Sequence, residues 1–181
     1  ENLSPFTVLS LADVGGMAGS EDLLMEGLKS NDANHRYWGC LGVSQQETVS
    51  DAAKALTLKL LKDPSAAVRI AAAQSLTQHD DIEAGLPTLI DVLQNENLTV
   101  VMYAARAIEL LGEDAKSAVP AMKKVLARAE SIRPSDTPAT VVTSGDQDLA
   151  MFIGFSANAF LKKVEEKDEQ EGAKGAEGET G

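Results

Sequence analysis

Cysteine is nearly missing from this chain: there is one, Cys40, in 181 residues. A disulfide scaffold is thereby excluded, since it needs cysteines in pairs. Positive charge is also scarce. Sixteen Lys and Arg stand against 28 Asp and Glu, a net of −12, and the isoelectric point is near 4.5. A nucleic-acid binder needs a basic stripe to neutralise phosphates, so no nucleic-acid partner is expected. No run of about 18 apolar residues occurs, so no membrane-spanning helix is expected. Aromatic residues are only 4%, while alanine is abundant, which favours close helix–helix packing over a β-sandwich. Strand signals are weak, because Val141 and Val142 lack alternating neighbours. What remains is 44% hydrophobic and 24% charged, the balance of a folded chain.

The sequence opens on Glu1 rather than Met, which reads as a processed product or a piece of something longer. No basic stretch followed by an apolar one marks a signal peptide. From Glu165 to Gly181 there are seven acids and two lysines. That composition reads as a frayed helix end running into an acidic disordered tail over 167–181, with the folded domain at 1–166.

A repeat runs through the domain. Lys29–Val43, Lys62–Leu76 and Gln94–Ile108 begin 33 and then 32 residues apart. Each opens on a polar turn: Asn31 and Asp32, Asp63 and Pro64, Asn95 to Asn97. Each then places small or apolar residues at a spacing of three, one, three and one, which keeps them on one helical face. In the second copy these are Val68, Ala71, Ala72, Ser75 and Leu76; in the third, Val100, Tyr103, Ala104, Ala107 and Ile108. The first has His35, Trp38, Gly39, Gly42 and Val43, and a fourth has Phe152, Phe155, Ser156, Ala159 and Phe160. Small residues mid-face let a neighbouring helix approach closely.

A second kind of helix precedes each copy, with Leu28, Leu61, Leu93 and Leu126 aligned. Leu24, Leu89 and Met122 align four residues earlier. Thr57 breaks that column, so either it holds the register or Leu56 or Leu58 replaces it. Pro87 and Pro120 lie near helix starts, where a missing N–H costs little. The spacing predicts a leading helix over 4–14, then pairs at 21–29 and 33–45, 50–62 and 65–78, 82–94 and 98–111, and 116–130 and 148–166. One such hairpin cannot bury its face alone, and stacked hairpins share a core.

The stretch Asp63-Pro64-Ser65-Ala66-Ala67-Val68-Arg69-Ile70-Ala71-Ala72-Ala73 resembles the second-helix signature of HEAT repeats, and the period resembles the short bacterial type. The resemblance covers about residues 4 to 166. It implies an all-α, right-handed α-solenoid of about four HEAT-like hairpins plus a leading helix. Val101 stands where an arginine is usual and His35 where valine is, so a ladder of Asp–Arg contacts is incomplete at best. Arg36-Tyr37-Trp38, with Asn95-Glu96-Asn97 and Val100, is also similar to a region that follows the catalytic domain of bacterial, planctomycete-type sulfatases. That implies a non-catalytic C-terminal appendage, periplasmic or secreted, whose partner is an upstream catalytic domain. Cys40 is followed by Leu41, Gly42 and Val43, not the Cys/Ser-x-Pro-x-Arg setting in which sulfatases mature their nucleophile. The alternatives are a cytoplasmic HEAT-like adaptor and an enzyme of the HEAT-like bilin-lyase kind; the lack of a Cys or His cluster argues against the latter.

Candidate sites are few. Cys40 reads as a small packing residue. His79-Asp80-Asp81 could ligate a metal, but acids in a turn more often cap the next helix, and zinc needs three or four converging ligands. Gly15 to Ser20 lacks the lysine of a phosphate loop and reads as a turn, with Ser20 capping the next helix. No metal and no cofactor are expected. Asn2-Leu3-Ser4 and Asn97-Leu98-Thr99 fit the N-glycosylation triplet, a pattern common by chance. The stretch between Glu130 and Asp148 replaces a short turn, and is either a binding insertion or a tolerated one; Arg133, Thr140, Val141 and Val142 are its candidates for reaching a neighbour. The outward row of the second helices, Arg36, Tyr37, Arg69, Ile70, Met102 and Arg106, is either a protein-binding face or inter-repeat packing.

Overall fold

The computed structural model describes residues 21–134, 136 and 145–178, with the side chains of the last helix described through 167. The helix expected over 4–14, the Gly15–Ser20 turn and the Thr140–Val142 stretch lie outside these residues. The described chain is helical and contains no strand. In order come α1 (Glu21–Lys29), α2 (Ala33–Ser44), α3 (Asp51–Leu60), α4 (Ala66–Gln78), α5 (Ile82–Val92) and α6 (Leu98–Leu111). A 3-10 segment, Gly112–Ala118, then leads into α7 (Val119–Ile132), and α8 spans Gly145–Gly178. The helix starts follow from capping. Asp32 accepts the N–H of Asn34 at 2.8 Å, Ser50 that of Ala53 at 3.2 Å, and Asn97 that of Thr99 at 2.9 Å, each satisfying a backbone donor the helix cannot.

Two compact units divide at Val92 and Leu93. In the first, α1 and α2 form a hairpin, α3 and α4 a second, and α2 packs on α4 and α4 on α5. Its interior includes Leu24, Leu28, Cys40, Val43, Ala53, Ala71 and Ala72. Val68, Ser75 and Leu76 are buried as well, so the face expected of α4 is the buried one. Close approach explains the small residues. A Cβ on Gly39 would lie 3.0 Å from the backbone nitrogen of Leu28, and one on Gly85 only 2.6 Å from the carbonyl oxygen of Ala73. Thr57 holds its column after all. It is 1% exposed, and its hydroxyl donates to the Ala53 carbonyl at 3.0 Å, while Leu58 is exposed.

In the second unit α8 packs on both α6 and α7. Its core is Val101, Ala104, Ala105 and Ile108 from α6, Met122 and Val125 from α7, and Ile153, Ala157, Phe160 and Val164 from α8. Here the expected faces hold for Ala104, Ala107, Ile108, Ser156 and Phe160, which are buried, and need correction at the other positions. Val100 is half-buried while Val101 is inside, and Tyr103, Phe152, Phe155 and Ala159 face water. The covered strip is rotated from the expected one, because small residues (Ala105, Ala157) fill the contacts that ring size had suggested for the aromatics. Pro87 is also not near a start: it is the sixth residue of α5, whereas Pro120 sits in the first turn of α7. α8 continues to Gly178, past the end expected at 166.

Candidate partner-binding surface

α6 and α8 run side by side over the second unit's core. Facing residues leave a groove of about 390 Å³ between them, lined by Met102, Tyr103, Arg106 and Glu109 from α6 and Phe152, Phe155, Ser156 and Ala159 from α8. Periodicity creates it. Residues 152, 155 and 159 recur at helical spacing on one side of α8, and 102, 106 and 109 do so on α6. Tyr103 is 55% exposed, Phe152 50%, Phe155 62% and Leu110 63%. Phe152 and Phe155 meet edge to face, with ring centroids 6.4 Å apart, which holds both rings in place. Arg106 forms an ion pair with Glu109 one turn on, leaving the groove with one cation and one anion that balance. On the other flank of α8 lies a smaller cavity of about 190 Å³, whose wall includes Leu126, Ala129, Arg133, Met151 and Asn158, and Phe155 borders this one as well.

The seven residues expected to bind a partner fall into different settings. Met102 and Arg106 line the groove. Arg36 does not face outward. Its Nε donates to Asp63 Oδ2 at 2.6 Å and its Nη2 to Asp63 Oδ1 at 3.0 Å, while Nη1 reaches the Ser30 and Asn31 carbonyls. Arg69 donates to the Asp63 carbonyl at 2.9 Å. Ile70 is buried. Tyr37 is half-buried and edge-on to Trp38. Arg133 is buried, 3.8 Å from Asp148. So Arg36 and Arg69 act as braces within the first unit, one full rung of an Asp–Arg ladder. Burial works against the charge of Asp63, but hydrogen bonds from Arg36 and the Ser65 N–H, and the charges of Arg36 and Arg69, outweigh it. The carboxyl is held below its ordinary range.

The remaining polar candidates are engaged in structure. The Cys40 thiol is pushed up to about 12 by burial, so it is a packing group rather than a nucleophile. His79 donates through Nε2 to the Val43 carbonyl at 3.1 Å, an assignment fixed because a carbonyl only accepts. Asp81 pairs with Lys54 at 2.8 Å, its carbonyl accepts the Gly85 N–H at the start of α5, and Asp80 takes the left-handed turn at φ 61° that closes α4. His35 meets the Ser30 hydroxyl at 3.0 Å. Among the described residues no group of three His, Cys, Asp or Glu gathers as a metal site, and no helix is long and apolar enough to cross a membrane.

Residues 53–134 match the family of HEAT repeats. The match runs from α3 to the end of α7 and supports a HEAT-like repeat array, a kind of fold that in general serves protein interaction or structure rather than catalysis. No curated protein matches the chain.

Proposed function

We propose that the chain is a non-catalytic protein-interaction module whose contact surface is the groove between α6 and α8. One observation carries this reading: Tyr103, Phe152 and Phe155 stand at half exposure or more along one groove between two adjoining helices, above a core packed with alanine and aliphatic side chains. Isolated exposed apolar residues are ordinary, but a contiguous apolar strip marks an interaction site. Tyrosine and arginine are also the residues that anchor interfaces. Met102 and Arg106 belong to this surface; Arg36, Arg69, Ile70 and Arg133 keep the units in shape.

In this reading the array is a right-handed solenoid of about four hairpins with a leading helix. Its parent is a bacterial sulfatase, periplasmic or secreted, and the module is that enzyme's C-terminal appendage. Arg36-Tyr37-Trp38 and Asn95-Glu96-Asn97 with Val100 support that parentage by their resemblance. The upstream reading frame tests it. A signal peptide and a Cys/Ser-x-Pro-x-Arg motif are expected there, and an initiating Met within a few residues of Glu1 would refute the parentage in favour of a cytoplasmic adaptor. For the surface itself, benzoylphenylalanine is placed at position 155 in the chain expressed in its native host, with a control at Glu47 in the first unit. Illumination should give an adduct with a second polypeptide at 155 and none at 47; no adduct at 155 removes the reading.

A further inference from the structure

The groove carries no net charge, in a chain whose total is −12. α8 has no charged residue for thirteen positions, Leu149 to Leu161, and α6 none from Leu98 to Ala105. Within the groove Arg106 and Glu109 satisfy each other. Around it acid and base offset. Lys162 pairs with Glu166 at 3.6 Å and Lys167 with Glu113, and Arg133 lies 3.8 Å from Asp148. Asp146 belongs to a separate cleft, whose lining includes Arg128. What varies along the groove is height. The rings of Tyr103, Phe152 and Phe155 stand in water, whereas Ser156 is buried and Ala159 ends at its Cβ.

We infer that the groove takes one face of an α-helix from a different protein, a face of aliphatic side chains with no charge in it, whose largest anchor sits over Ser156 and Ala159. This rests on the reading of the groove as a contact surface. Charge matching keeps Lys, Arg, Asp and Glu out of the docked face, since each would give up water over aromatic rings with no opposite charge free to receive it. The attraction of an exposed ring face for a cation is too small to offset that loss. The backbone argues for a helix. An extended segment would bring unpaired N–H and C=O groups over the rings, and among the described residues there is no strand edge to receive them; a helix satisfies its own. From Phe152 to Ala159 the wall runs about two helical turns, about 11 Å, which is the footprint of anchors at i, i+3 or i+4, and i+7 laid into a groove. A second copy of this chain is a poor fit. Its own exposed strip sets bulk against bulk, and it brings another net −12.

A displayed library of random sixteen-residue peptides, panned on the full chain and counter-selected on Phe155→Ser, tests the assignment. Binders should share Leu, Ile or Met at i, i+3 or i+4, and i+7, with no charged residue in that stripe. In anisotropy titrations the best of them should lose at least tenfold in affinity when a proline is placed at its centre or a lysine in its stripe. Phe155→Ser or Ala159→Trp in the chain should weaken it as much without moving the melting temperature, since both positions face water. Raising salt from 50 to 300 mM should change its Kd less than twofold, because screening has no charge pair to act on. Leu110→Ser is the control: that side chain is 63% exposed but outside the groove, and its loss should leave binding unchanged. Binders that are proline-rich, charged along their stripe or indifferent to the central proline overturn the inference, as does an empty selection. So does an equal loss on Leu110→Ser, or a concentration-dependent dimer, seen by light scattering, that Phe155→Ser abolishes. An adduct at position 155 combined with binders of no helical period would leave the contact surface standing and remove only its uncharged helical occupant.

Discussion

Removing the Asp63 carboxylate should cost the first unit more than any surface change. The Asp63 side chain is 3% exposed and that of Arg36 14%, with two hydrogen bonds between them. Breaking a fully buried pair by deleting one partner costs about 3–5 kcal/mol, because the other charge is left inside. Arg36 retains two carbonyl acceptors and a water-facing edge, which lowers the figure. The Ser65 N–H, 2.8 Å from Asp63, loses its partner as well, adding about 1 kcal/mol. We therefore expect Asp63→Ala to lose about 2–4 kcal/mol. Replacing both charges, Asp63→Leu with Arg36→Met, should cost clearly less than the two single changes combined, since no orphan charge remains. Urea melts followed by circular dichroism and by the fluorescence of Trp38, the single tryptophan and a neighbour of the pair in sequence, report the loss. A deficit under about 0.5 kcal/mol, or strict additivity of the two changes, would refute the bracing role.

Four further outcomes follow. The Asp63 carboxyl is held below its ordinary value, so its contribution is complete above the unfolded pKa of about 4 and disappears as pH falls through the lower folded value; the stability gap between wild type and Asp63→Ala, measured in urea at several pH values, should be constant from pH 7 to 5 and narrow below about 4. Cys40, raised to about 12, should react with iodoacetamide at pH 8 at least about a hundredfold more slowly in the native chain than in urea, and comparable rates would show that the thiol is open. Gly85→Ala drives a Cβ onto the Ala73 carbonyl and should lower stability by about 1–3 kcal/mol; an unshifted urea midpoint would show that α4 and α5 are not in that contact. Val68→Asp places a carboxylate where the side chain is fully covered and should cost several kcal/mol, on the order of the stability of a small domain; an unchanged melting temperature would place Val68 outside the core.

The helices were legible because their punctuation is local. Asp32 and Asn97 cap helices where the polar turns predicted them, and the period near 33 separates one hairpin from the next. The buried face was legible in α4, where alanines and Val68 have few alternatives. It was only partly read in α6 and α8, where Ala104, Ala107, Ile108, Ser156 and Phe160 are buried as expected but Tyr103, Phe152, Phe155 and Ala159 are not, since periodicity defines a stripe without saying where its edge falls. Phe152 and Phe155 recur at a spacing equally suited to a core and to a groove, and only the packing of Ile153 and Ala157 decides between them. The role of Arg36 was hidden for a related reason. Its partner lies 27 residues away, in a turn that the repeat pattern brings alongside.

The uncharged stretch of α8 also governs how the chain behaves in bulk. At neutral pH the mutual repulsion of molecules carrying −12 keeps their aromatic strips apart. Near pH 4.5, where the net charge vanishes, that colloidal protection is lost while Phe152 and Phe155 stay in water. Turbidity on acidification should begin at those rings, well before the fold gives way, and Phe155→Ser should keep the solution clear.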